Sequence, residues 1–136
     1  NRTTLPVSIP NFPLFFRNLY KTEVPNRPIT TVNKGRTYMI SVRVYQQGDD
    51  VIVGACDEHL LGKKFRKGKL QIDVAKRFYD GERIDRKTLE SFLRDATIAN
   101  LVGNETVACA IDLGLVDPEC ILKIKGVPHA QIVHMV

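Results

Sequence analysis

The sequence has few cysteines, no long apolar run and none of the short motifs that mark common enzyme classes, and each absence removes a class of function. Its three cysteines, Cys56, Cys109 and Cys120, are odd in number, include no C-x-x-C and stand at no zinc-type spacing from a histidine. Neither a disulfide framework nor a structural zinc site is expected, and the thiols read as free and buried. His59, His129 and His134 match no zinc motif either, so no metal and no other cofactor is expected. No apolar stretch approaches the roughly 20 residues that cross a bilayer, and Asn1-Arg2-Thr3-Thr4 lacks the basic-then-apolar layout of a secretory signal. The expectation is a cytoplasmic chain with no membrane partner; opening on Asn1 rather than Met, it reads as processed or as part of a longer chain. G-x-G-x-x-G, G-x-x-x-x-G-K-[ST], H-E-x-x-H and G-x-S-x-G are all missing, and no internal repeat is evident.

What is present is unevenly placed. The chain of 136 residues carries a net charge of +5. Residues 1–36 hold Arg2, Arg17, Lys21, Arg27, Lys34 and Arg36 against Glu23 alone, so they supply all of that excess. Residues 37–136 hold fourteen basic and fourteen acidic side chains and sum to zero. Such asymmetry is the mark of an arm that meets a polyanion. Five of the seven prolines, Pro6, Pro10, Pro13, Pro25 and Pro28, fall in the same stretch, which predicts irregular or polyproline-like backbone. Phe12, Phe15, Phe16, Leu19 and Tyr20 give it too much apolar surface to leave in water, so part of it docks, with a short helix read over residues 14–21. The division is a basic proline-rich extended arm over residues 1–37 and a compact α/β domain over residues 38–136.

Alternation of Ile40, Val42 and Val44 with Ser41, Arg43 and Tyr45 predicts a strand, and residues 50–56 a second one across a Gln47-Gly48-Asp49-Asp50 turn. Asp57 reads as the cap of a short helical turn ended by Gly62. Residues 63–69 read as a loop and Leu70, Ile72 and Val74 as a third strand, followed by an Asp80-Gly81 turn. A long helix is expected over residues 85–101 and a second over residues 105–113, capped by Asn104 and stopped by Gly114. Residues 121–124 and 130–135 complete about five strands and two main helices, joined by a Gly126–His129 connection. The fold class is α+β or mixed α/β, a single small domain with an extended N-terminal arm.

Lys63, Lys64, Arg66, Lys67 and Lys69 put five cations in seven residues around Phe65, able to neutralise phosphates while the ring stacks or anchors. A solvated loop offset by distant acids is the alternative. Cys56-Asp57-Glu58-His59 juxtaposes a thiol, two carboxylates and an imidazole, but sequence neighbours diverge on strand or helix, so a structural use is expected. Thr97, Asn100, Gly103 and Asn104 are read at the junction of the two helices, where they either cap the turn internally or leave amides for a phosphate.

Four segments carry a resemblance: Cys56-Asp57-Glu58-His59-Leu60-Leu61-Gly62-Lys63, Phe78-Tyr79-Asp80-Gly81-Glu82, Ala96-Thr97-Ile98-Ala99-Asn100-Leu101-Val102-Gly103 and Gly126-Val127-Pro128-His129-Ala130-Gln131. Over these the chain resembles a small archaeal family of domains of unknown function, family four-two-four. The resemblance implies an archaeal source and a small α/β fold, transfers no catalytic residue, and suggests translation genes as context. Residues 1–38 depart from it as an added arm.

The expected function is RNA binding as a structural component of the archaeal small ribosomal subunit, with rRNA and neighbouring ribosomal proteins as partners and no small-molecule substrate. Arg2, Arg17, Lys21, Arg27, Lys34, Arg36, Lys63, Lys64, Arg66, Lys67 and Lys69 are the expected RNA contacts, and extended basic arms suit phosphate-lined grooves. The alternative is a small ligand-binding domain or enzyme with a pocket around Asn100 and His129, His129 serving as acid or base near neutral pH. A third reading makes the arm a docking strand for a protein.

Overall fold

The computed structural model describes residues 2–5 and 39–134. Residues 6–38, with Arg17, Lys21, Arg27, Lys34, Arg36 and the helix read over residues 14–21, lie outside the described residues. Within them, a mixed sheet is sandwiched between two helices on one face and a β-hairpin with a single helical turn on the other.

The chain forms β1 (Arg2–Leu5), β2 (Ile40–Gln47), β3 (Asp50–Asp57), a 3-10 turn (Glu58–Leu60), β4 (Lys64–Lys67), β5 (Leu70–Asp73) and α1 (Lys76–Tyr79). It continues through β6 (Glu82–Ile84), α2 (Arg86–Asp95), β7 (Ile98–Val102), α3 (Asn104–Asp112), a 3-10 turn (Pro118–Cys120), β8 (Leu122–Ile124) and β9 (Val127–His134). The main sheet runs β1-β9-β7-β3-β2-β6, with β8 also paired to β9, and β4 and β5 form a separate ribbon. β3 and β7 are parallel, Gly54 opposite Asn100, while the other pairings are antiparallel. The α+β class is as expected from the sequence; nine strands among the described residues replace the five expected.

The hairpin at Gly48-Asp49 forms where its composition places it, Gly48 taking φ 59° at the first turn position. The first residues of the expected arm are regular backbone rather than irregular: Arg2–Leu5 pairs antiparallel with β9, Arg2 opposite His134. They precede Pro6, so every ladder donor is available, and Thr3 and Thr4 favour extended geometry.

The helix expected over residues 85–101 ends at Asp95. Its start is as read, with the Asp85 carboxylate accepting from Thr88 N at 2.8 Å, and Leu89, Phe92 and Leu93 are buried. Residues 98–102 are instead a central strand covered on both faces. Its run of buried side chains has no alternation, and periodicity cannot tell such a run from a buried helix.

Two cores result. Val53, Ala55, Ala99, Leu101, Ala130 and Ile132 face α2 and α3. Ile52, Cys56 and Val102, the alternate positions of β3 and β7, face the ribbon and α1, where they meet Ile72, Val74, Phe78 and Tyr79. Gly54 belongs to this second side, and a Cβ there would stand 2.6 Å from Phe78 Cε2, so the glycine is what admits the ring.

Candidate nucleic-acid interface

Residues 63–69 are a β-ribbon rather than the loop expected. Lys67 pairs with Leu70 across a two-residue turn in which Gly68 takes φ 62°. The alternation is Phe65 and Ile72 directly opposite each other on one side, Lys64 opposite Asp73 and Arg66 opposite Gln71 on the other. Because the polar positions are nearly all cations, the period of two is masked in the sequence. A two-stranded ribbon is marginal alone; this one is held through its inward side. Ile72 is buried and half-buried Phe65 and Leu70 pack on the second core, each buried apolar side chain contributing about 1.5–3 kcal/mol. At its base Gly62 N donates to Val74 O at 2.8 Å and Val74 N to Lys63 O at 2.9 Å.

Lys63, Lys64, Arg66, Lys67 and Lys69 are all exposed on this ribbon, and none forms an ion pair with a described acid. Arg66 alone is fixed by a side chain, donating to Gln71 Oε1 at 3.2 Å. Phe65 is half-buried against the second core and so helps to anchor the ribbon. The reading of residues 63–69 missed that α1 adds exposed Lys76 and Arg77 to the same side of the sheet. Across residues 61–79 seven basic side chains stand against the single acid Asp73, a net +6. Across residues 85–121, which hold the two helices of the opposite layer and the uncharged strand β7 between them, seven acids stand against three bases, a net −4. The neutral domain is thus polarised, with half of its fourteen cations in the ribbon and α1.

The other motifs make contacts within the fold. Asp57 does not cap the turn that follows it but the N-terminus of α3, its carboxylate accepting from Glu105 N at 3.1 Å and Thr106 N at 2.9 Å. Gly103, not Asn104, is the N-cap residue, at φ 111°. Cys56 is buried, and burial together with the adjacent Asp57 charge pushes its thiol up to about 12, far from a reactive thiolate. Glu58 and Asp80 bind Arg83 at 2.6 and 2.8 Å. Arg83 also donates to Gly81 O at 2.7 Å and Ser41 Oγ at 3.0 Å. Burial lowers its pKa, but these carboxylate bonds outweigh that and raise it. Among the described residues no group of three or more His, Cys, Asp or Glu side chains could hold a metal ion.

Thr97 and Asn100 lie on and beside β7 rather than at a helix junction. Thr97 Oγ1 accepts from Val51 N at 2.9 Å, and Asn100 Oδ1 accepts from Tyr79 Oη at 2.6 Å. His129 Nε2 lies 2.6 Å from the same oxygen, so it carries the proton and donates, leaving Nδ1 without a partner among the described residues. Asn100 and His129 are each 1% exposed. Burial drives the His129 pKa down to about 3, so the imidazole is neutral near neutral pH, and it is closed off from solvent. No helix among the described residues is long and apolar enough to cross a membrane.

A crystal structure of an uncharacterized conserved protein from Methanopyrus kandleri has a similar fold, with a TM-score of 0.59 at 22% identity, covering 71% of this chain and 93% of that one. No curated protein matches the sequence. The model of the family described as "Protein of unknown function (DUF424)" matches residues 45–135, which include the ribbon, α1, both larger helices and the buried Tyr79, Asn100 and His129. The chain belongs to the DUF424 family.

Proposed function

We propose that this chain is a cytoplasmic RNA-binding protein that works on ribosomal RNA, among neighbouring ribosomal proteins of the small subunit. The observation that carries the reading is the charged ribbon: Lys63, Lys64, Arg66, Lys67 and Lys69, exposed, without described acidic partners and backed by a packed apolar side. Cations so held meet phosphate without first giving up an ion pair. Each phosphate neutralised releases condensed counterions and adds affinity that falls with salt. Arg2, Arg17, Lys21, Arg27, Lys34 and Arg36 add to the same attraction from the N-terminal stretch. The net −4 of the helical layer turns that face away from phosphate, so the domain approaches RNA with one orientation.

The test is co-sedimentation of the full chain with purified archaeal ribosomal subunits, beside filter binding of naked rRNA. The expected result is retention on small subunits at about 50 mM salt and steep loss toward about 200 mM. Failure to bind either target at the lower salt contradicts the reading.

A further inference from the structure

We infer that the face made by the β4–β5 ribbon and α1 takes the sugar–phosphate backbone of double-helical RNA, not unpaired bases. The inference rests on the RNA-binding reading above and names the class of RNA that this face suits.

Proteins that hold single strands pair a basic groove with aromatic rings on which bases stack, whereas duplex RNA is recognised by shape and by phosphate and hydroxyl contacts. Among the described residues this face has the cations without exposed rings. Tyr45, Phe78 and Tyr79, the aromatic side chains beneath it, are each no more than 1% exposed. They pack on one another: Tyr45 and Phe78 stack with centroids 5.1 Å apart, and Tyr79 meets Phe78 edge-on at 4.9 Å. Phe65, on the ribbon itself, is half-buried and packs against the second core. Among the described residues the exposed large hydrophobic side chain is Met39, which precedes β2 and lies outside the ribbon.

Two of the cations are also set in line. Lys64 and Arg66 occupy alternate positions of one strand, so they emerge on the same outward side about 7 Å apart along it. Lys67 alternates to the Phe65 side at the ribbon's end, and Lys69 is the second residue of the turn. Such an alignment, on regular backbone anchored from behind, matches a surface whose phosphates are themselves regularly spaced, and it reads no base.

The experiment measures binding of the full chain to a duplex RNA of about 20 base pairs and to a uridine run of equal length, at about 100 mM salt. It is repeated with Lys63, Lys64, Arg66, Lys67 and Lys69 all changed to Gln; the variant's circular dichroism and melting temperature are recorded, since the substituted positions are exposed and retention of fold is expected. The expected result is a duplex bound about tenfold or more tighter than the uridine run, with the substitutions removing at least tenfold from the duplex and less than threefold from the single strand. Equal or stronger binding of the uridine run, or equal weakening of both, overturns the inference while leaving RNA binding standing. Binding of neither RNA by the unsubstituted chain overturns both. If the five-site variant unfolds, Lys64→Gln with Arg66→Gln is used instead, with at least a threefold weakening confined to the duplex expected and weakening shared by both RNAs contradicting it.

Discussion

The carboxylate of Asp57, at the end of β3, holds the first turn of α3 through Thr106, accepting from its backbone nitrogen at 2.9 Å and its hydroxyl at 2.8 Å. Gly103 makes the approach possible, because a Cβ there would overlap the Asp57 carboxyl and the backbone sits at φ 111°. Asp57→Ala leaves the helix amides without their acceptor in a buried place and is expected to cost about 2–3 kcal/mol in urea unfolding. Gly103→Ala is expected to cost a similar amount, and the double variant less than the sum, because one change removes the group the other strikes. Strict additivity would contradict the shared contact.

Gly54→Ala is expected to destabilise by about 1–3 kcal/mol, since the added methyl meets the Phe78 ring and cannot be relieved without disturbing the Tyr45–Phe78 stack. Phe78→Leu in the same chain should recover part of that loss. A neutral Gly54→Ala variant in chemical denaturation would show that the ring is not packed against β3.

His129 predicts the acid limit of stability. Its folded pKa of about 3 lies below the ordinary 6.5, so below pH 6.5 the unfolded chain binds a proton that the folded chain refuses. Stability is therefore complete above about pH 6.5 and falls as pH drops toward 3, with a slope approaching about 1.4 kcal/mol per pH unit from this group. His129→Gln keeps a donor for Asn100 Oδ1 and cannot titrate. Melting temperatures between pH 7 and 4 should fall less in that variant; an unchanged pH dependence would remove His129 as the cause.

Arg83→Lys is expected to destabilise by about 1–2 kcal/mol, because an ammonium cannot reach Glu58, Asp80, Gly81 O and Ser41 Oγ together as the guanidinium does. The same destabilisation from Arg83→Ala as from Arg83→Lys would confirm that the fork, not the charge, matters. A silent Arg83→Lys substitution would show that charge alone suffices.

Local signals carried the β2–β3 hairpin, the start of α2 and the Gly114 end of α3, where Leu115 N donates to Ala110 O at 3.0 Å. Each is set by residues adjacent in the chain. Lys64, Phe65 and Arg66 hid a strand because charge dominated the pattern. Ile98, Ala99, Asn100 and Leu101 hid another because burial on both faces erases alternation. Asp57 as the cap of a helix 49 residues downstream could not be read locally, since sequence proximity offered it the nearer turn. The five ribbon cations were legible as a cluster; their anchoring, and their separation from the acidic helical layer, depended on which face of the sheet each element covers.

The most direct measurement is the slope of log binding constant against log salt concentration for rRNA, with the full chain and with the five ribbon cations changed to Gln. If these side chains sit on phosphates of duplex RNA, the slope should become shallower by about 4–5 units, near 0.9 for each phosphate no longer neutralised. An unchanged slope would show that the ribbon does not touch RNA phosphate and would contradict the account.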